Sequence, residues 1–548
     1  MTVAELLVKC LETEGVRYVF GVPGEETEEL LFAFENSPIT FVPCRHEQGA
    51  AFIANVWGRL TGRVGVCLAT LGPGATNLVT GIADANLDKA PAIAITAQGG
   101  LTRLHQESHQ RLDIISMFKA ITKWNAVINS PGVVSEIVRK AVKLAEYEKP
   151  GVTHIELPED VAKEEVALDQ KPIPPLRTPR ARADDNVLDR AISFLREAKR
   201  PLIVVGNGAV REDASGPLRA LSSIHGIPVV STFMGKGIVS DKSEQSLMTM
   251  GLGFRDYVNE AVDTSDLILT VGYDIVEYPP HRWNPEAAKR ILHFDFTPAD
   301  VYRHYNPVVE VIGELAAGLA SLDRKLAAAK IFFDREWYGC IRRRIIDDIV
   351  SYRNEDGRFT IPGTLNVIRR ILADDGVLIS DVGSHKLWIS RNFPTYCPNG
   401  CIVSNGLASM GIALPGGIAA ALINPGRQVV AAMGDGGFLM NSQELETAKR
   451  LGVGFTAVIF NDNDYGLISW KQKQSRGRSI STRITNPDFK SYAESFGIKG
   501  YKPETVTELE DHLATAITSR ELAVVEVAVD SQVNQHLVSK LQSFWQGR

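Results

Sequence analysis

The chain has 548 residues, 44% of them hydrophobic, 23% charged and 7% aromatic, which is the composition of a folded globular protein and excludes a disordered or fibrous one. With 59 Lys+Arg against 65 Asp+Glu the net charge is −6, so no broad basic field draws in nucleic acid or anionic lipid, and a bound phosphate needs a local device. Six cysteines, with no CxxC pair, exclude a disulfide scaffold or a zinc cluster and point to a reducing cytoplasm.

The first residues, MTVAELLVKCLETEG, read as a charged amphipathic helix rather than an export signal, because acids interrupt each apolar stretch. Apolar runs then alternate with helix-length segments: VRYVFGVPG, ITFVPCR, VGVCLATLGPG and PAIAITAQ in one block; PLIVVGNG, GIPVVSTF, DLILTVGYD and RILHFDF in a second; GVLISDVG, RQVVAAMGDGG and GFTAVIFND in a third. This rhythm predicts α/β architecture with three doubly wound parallel sheets. The proline-rich stretch from Val166 to Asp185 and the segment from Ser351 to Gly363 separate them, giving blocks 1–165, 185–345 and 360–548. Blocks one and three both place glycine-rich turns after strands, Gly72 to Asn77 and Gly434 to Gly437, which suggests related folds. The uncharged stretch Gly406 to Ile423 imitates a membrane span, but Pro415 and its glycines predict a buried close-packed helix, and no membrane is implied. His105 and His109 are four residues apart, but Gln106 stands where a zinc-protease helix needs Glu.

The strongest chemical signal is GDGGF at Gly434 to Phe438, followed by a helix and a strand ending in Asn461, Asp462, Asn463 and Asp464. Asp435 and Asp462, 27 residues apart, both fall at the carboxyl ends of parallel strands, the crevice where open α/β sheets bind ligands. Two carboxylates with the Asp464 carbonyl would suit Mg²⁺, completed by diphosphate oxygens and water. Gly436 and Gly437 let the backbone approach phosphates at a helix start.

A GDG turn followed at this distance by Asn-Asp-Asn resembles the thiamine diphosphate fingerprint. The segment Arg45 to Gln98, RHEQGAAFIANVWGRLTGRVGVCLATLGPGATNLVTG and onward, is similar to the pyrimidine-binding domain of the acetolactate synthase and pyruvate decarboxylase group. That resemblance implies pyrimidine-binding, central and diphosphate-binding domains, with Glu47 as the acid that activates the aminopyrimidine. It assigns the Ala408 carbonyl to the 4′-amino group, Met410 to a wedge under the bent cofactor, and Gly383, Ser384, His385, Gly434 and Tyr465 to cofactor contacts. The stretch HQESHQRLDIISMFKAITKW resembles the synthase segment in which Gln110 and Lys123 would approach pyruvate, and Trp470 joins them as an acceptor contact. VGYDIVEYPPHRWN and VSKLQ resemble the catabolic, flavin-independent synthases. Tyr273 replaces the arginine of the flavin-containing relatives and Lys471 aligns with their tryptophan, so FAD is not expected; the lone GxG turn at Gly206 to Gly208 reads as a plain strand-to-helix turn.

The implied activity joins two pyruvate molecules into 2-acetolactate with loss of CO₂ through a thiamine diphosphate enamine, in a homodimer at minimum and with a homotetramer expected. Glu25, in the run GVPGEE, matches an acid of the decarboxylases, which leaves a 2-keto-acid decarboxylase or carboligase as the alternative. A catalytically silent regulatory homologue is the alternative of another class, opposed by the presence of Glu47, Asp435 and Asp462 together. A dinucleotide-dependent dehydrogenase would rest on the GNG turn alone.

Overall fold

A computed structural model describes residues 1–176, 178–251 and 256–537; the VSKLQ motif lies outside them. Among the described residues three six-stranded sheets are present, each wholly parallel and flanked by helices. The strands are short continuous apolar runs, such as Leu267–Val271 and Val429–Gly434, buried along most of their length. Parallel strands covered on both faces require that pattern rather than strict alternation.

The first sheet runs, edge to edge, Thr40–Pro43, Tyr18–Gly21, Gly65–Ala69, Ala92–Gln98, Val152–Pro158, Trp124–Val127. The third repeats this order in its own strands: Cys401–Val403, Val377–Ser380, Val429–Gly434, Thr456–Asn461, Ala523–Ala528, Lys499–Tyr501. The kinship suggested by the two glycine-rich turns is thus topological identity. The central sheet differs: read from Ser246–Thr249 it runs through Val229–Ser231, Pro201–Val205, Leu267–Val271, Arg290–Asp295 and Val309–Ile312, the dinucleotide-fold order. In each sheet one pair of neighbouring strands sends its following loops to opposite faces, and that switch point is where such folds bind ligands. The pairs are Tyr18–Gly21 with Gly65–Ala69, Pro201–Val205 with Leu267–Val271, and Val377–Ser380 with Val429–Gly434.

Compact units do not follow chain order. One comprises Met1–Thr178 with Gly406–Gly426 and Gly437–Gly454; the other holds Pro179–Asn405, Arg427–Gly436 and the remainder from Phe455. The uncharged stretch resolves into a loop and a helix, Ala413–Ile423, buried against the Glu47–Thr61 helix of the first unit. Its glycines and alanines permit that close approach. Among the described residues no helix is long and apolar enough to cross a membrane.

Candidate active site

At the switch point of the third sheet, the Ser384–Asn392 helix begins directly after Val377–Ser380, and the GDG turn follows Val429–Gly434. The His385 ring folds back over both turns: a Cβ on Gly383 would stand 2.7 Å from its Cε1, and one on Gly434 3.3 Å from the same atom. At Gly383 a side chain would force the ring to shift; at Gly434 it would crowd it. Burial holds the His385 imidazole neutral, its pKa pushed down to about 3, and Nε2 has no protein partner.

The two acids are bonded unequally. Asp435 Oδ1 accepts the Gly436 N–H at 2.8 Å, and Oδ2 accepts the Asn463 N–H at 2.8 Å and the Asn486 amide at 2.7 Å. Asp462 Oδ1 accepts the Asp464 N–H at a longer 3.3 Å, while a Cβ on Gly466 would sit 2.5 Å from Oδ2. Burial, then the charges of Asp435 and Asp464, raise the Asp462 carboxyl to about 7; burial also raises Asp435. Asp464 Oδ1 is buried with no hydrogen-bond partner. The site therefore concentrates acceptors and negative charge, which a low-dielectric setting makes costly, offset weakly by the exposed Arg483 guanidinium 4.0 Å from Asp464 Oδ2.

In the first unit, Glu47 opens the Glu47–Thr61 helix at the carboxyl edge of the first sheet and is buried. Its Oε2 accepts the Asn77 amide at 2.9 Å. Gln110 reaches the same edge with a left-handed backbone (φ +57°), its Cβ packing where a side chain on Gly72 would stand. Glu25 is exposed in a short 3₁₀ turn at the switch point, beside Glu26, which accepts the Thr70 hydroxyl. The loop that carries Ala408 and Met410 is fastened at both ends. Asp88 accepts the Gly406 N–H at 2.6 Å, Asp84 accepts that of Ser409 at 3.3 Å, and the Asn441 amide donates to Gly411 O at 2.9 Å. Ala408 is held at φ +57° between those anchors.

Residues 1–117, 188–322 and 381–527 match, in turn, the N-terminal TPP binding domain, the central domain and the C-terminal TPP binding domain of the thiamine pyrophosphate enzymes. The chain is 33% identical to the acetolactate synthase of Bacillus subtilis (strain 168) over 98% of its length and 94% of the relative's. It is 33% identical to the catabolic acetolactate synthase of Raoultella terrigena, over 98% and 97%, and 31% identical to the acetolactate synthase large subunit of Corynebacterium glutamicum, over 98% and 87%. The chain belongs to the thiamine diphosphate-dependent acetolactate synthase family. The residues at the third switch point fit a metal-bound diphosphate: crowded carboxylates for a cation, and glycines that keep the cradle open. Among the described residues no three His, Cys, Asp or Glu side chains converge, so a cation here would draw further ligands from carbonyls, phosphate and water.

Two synthase-family expectations require correction. Lys123 lies at the amino end of Trp124–Val127, the edge of the sheet opposite Glu47, where its ammonium donates to the carbonyls of Leu144 (2.6 Å), Tyr147 (2.9 Å) and Lys149 (2.6 Å). It closes the end of the Val134–Glu146 helix and its donors are spent there. Trp470 is 6% exposed in the apolar core of the third sheet; its helix, Gly466–Arg476, exposes Ile468 instead, and Tyr465 is exposed just before it. Three residues escaped sequence reasoning: Asn77, Asn486 and Glu444. Asn77 stood in a quoted motif and its place near Glu47 could have been weighed, whereas Asn486 and Glu444 carry no local signal.

Proposed function

We propose that the protein is an acetolactate synthase that condenses two pyruvate molecules into 2-acetolactate with release of CO₂. The observation that carries this reading is the crowded pair of buried Asp435 and half-buried Asp462 at the third switch point, in a chain aligned with acetolactate synthases along nearly its whole length. Thiamine diphosphate supplies, when bound, the electron sink for decarboxylation and carbon–carbon bond formation. Asp435, Asp462 and the Asp464 carbonyl would hold Mg²⁺. Gly383, Ser384, His385, Gly434, Gly436, Gly437 and Tyr465 would hold the diphosphate. The Ala408 carbonyl would take the 4′-amino group and Met410 would support the bend. Glu47, oriented by Asn77, would hold the proton at the pyrimidine N1′. Gln110 would meet the pyruvate carboxylate, and Glu25 would handle protons at the first switch point. We assign no flavin: the central turn that would approach a dinucleotide diphosphate already bonds Glu277. The domain limits 1–165, 185–345 and 360–548, a cytoplasmic setting, and a homodimer or homotetramer whose site borrows Glu47 from a neighbouring copy belong to the same proposal.

Incubation with pyruvate, thiamine diphosphate and Mg²⁺ tests it: 2-acetolactate should be the main product. Acetaldehyde in excess would favour the decarboxylase reading, to which exposed Glu25 lends support. A melting temperature unmoved by cofactor and metal would favour a silent homologue.

A further inference from the structure

Glu444 is a buried acid that the chemistry above does not employ. It opens the Glu444–Leu451 helix, is 0% exposed, and belongs to the same compact unit as Glu47. Its carboxylate accepts the backbone N–H of Arg45, 399 residues away, at 3.1 and 3.3 Å, and that of His46 at 3.0 Å. The Thr447 hydroxyl completes its bonding at 2.6 Å.

Arg45 and His46 immediately precede Glu47, the first residue of its helix. A helix start presents unpaired N–H groups and a positive dipole end, so a carboxylate placed there is held by charge as well as by hydrogen bonds. His46 adds a local cap, its Nδ1 accepting the Gln48 N–H at 3.1 Å. Room for the distant carboxylate comes from Gly49: a Cβ at that position would lie 2.6 Å from Glu444 Oε1. The backbone carrying Glu47 is thus fixed from the far end of the sequence, while Asn77 orients the side chain itself.

We infer that Glu444 is a positioning residue for Glu47, setting the first turn of the Glu47–Thr61 helix so that the Glu47 carboxyl meets the cofactor pyrimidine in productive register. This rests on the activating role proposed for Glu47. Displacing such a group by about 1 Å can cost about 100-fold in rate.

Glu444→Ala, Glu444→Gln and Gly49→Ala test the assignment in the full-length protein. Without cofactor, amide hydrogen exchange at residues 45–48 should accelerate about tenfold or more in Glu444→Ala. With Mg²⁺ and thiamine diphosphate, affinity should stay within about threefold while exchange of the cofactor C2 proton, followed by NMR, slows about 10- to 100-fold. Glu444→Gln retains one acceptor oxygen and should fall between wild type and Ala; Gly49→Ala, which crowds the carboxylate without removing it, should slow C2 exchange in the same direction and serves if Glu444→Ala does not fold. Adding Glu444→Ala to Glu47→Gln should cause no further slowing. Normal C2 exchange in folded, cofactor-binding Glu444→Ala, or unchanged amide exchange at 45–48, overturns the inference. Normal C2 exchange in Glu47→Gln alone overturns instead the reading of Glu47 on which it stands.

Discussion

The central and third sheets solve the same electrostatic problem in opposite ways. Both carry a glycine turn at a switch point, where backbone N–H groups face outward at the carboxyl edge. In the central sheet the Gly206–Gly208 turn is answered from within: the buried Glu277 carboxylate accepts the Asn207 N–H at 2.9 and 3.2 Å, and the Thr232 hydroxyl. A Cβ on Gly208 would stand 2.7 Å from Gly272 O, so the two switch-point loops are also closed onto each other. In the third sheet the acids lie on the turn itself and on the neighbouring strand end, where burial and then the charges of Asp435 and Asp464 raise Asp462. A turn closed by one acid from a neighbouring loop is architecture, whereas several acids crowded on one another at a strand edge suit a cation. The difference is made by where the carboxylates stand, since the backbone devices are alike.

The sharpest way to break the comparison is to remove a third-sheet acid. Asp435→Asn or Asp462→Asn should weaken Mg²⁺-dependent thiamine diphosphate binding by more than about 100-fold, roughly 3 kcal/mol, measured by calorimetric titration. The same substitutions should raise the melting temperature of the cofactor-free protein by relieving like-charge burial. Unaltered affinity would remove the metal reading.

A pH series separates the two edges next. Asp462 and Glu277 both have carboxyls raised by burial to about 7, against ordinary values of 3.8 and 4.5. The fold therefore prefers their protonated forms, and the associated stability is full below about pH 4 and lost as pH rises through about 7. Mg²⁺ with thiamine diphosphate should flatten the Asp462 share of this slope and leave that of Glu277. Melting curves from pH 5 to 8, with and without cofactor, check this; identical slopes in both conditions would contradict it.

Glu277→Ala strips the central turn of its internal partner and should cost about 1–3 kcal/mol of stability without changing Mg²⁺ affinity, read by denaturant titration beside cofactor binding. The smallest effect on function is expected at Lys123, whose edge holds none of the proposed chemistry. Lys123→Met should lower stability by about 1 kcal/mol with kcat within about twofold of wild type in the pyruvate assay. A large loss of kcat would return Lys123 to the active site.

Much of this was readable in one dimension. The GDGGF turn and the Asp462 to Asp464 strand end are local signals, because turn chemistry and strand spacing depend on near neighbours. The three α/β blocks, and the kinship of the first and third, followed from the same local patterns. Trp470 and Lys123 were misplaced because a motif gives a residue's position along the chain but not which way its side chain turns: the indole was worth more in the core, and the ammonium found three helix-end carbonyls. Glu277, Asn486 and Glu444 left no trace because their partners lie 70, 51 and 399 residues distant.

The strands, the glycine turns and the acids at strand ends follow from local order along the chain, since short-range sterics and apolar patterning suffice for those. Which turn gathers crowded acids, which is closed by Glu277, and how Glu444 holds the helix start before Glu47 emerge with the folded chain. Hydrogen bonds and charge pairs depend on distance through space, and in a parallel sheet wound back on itself that distance bears little relation to separation along the chain.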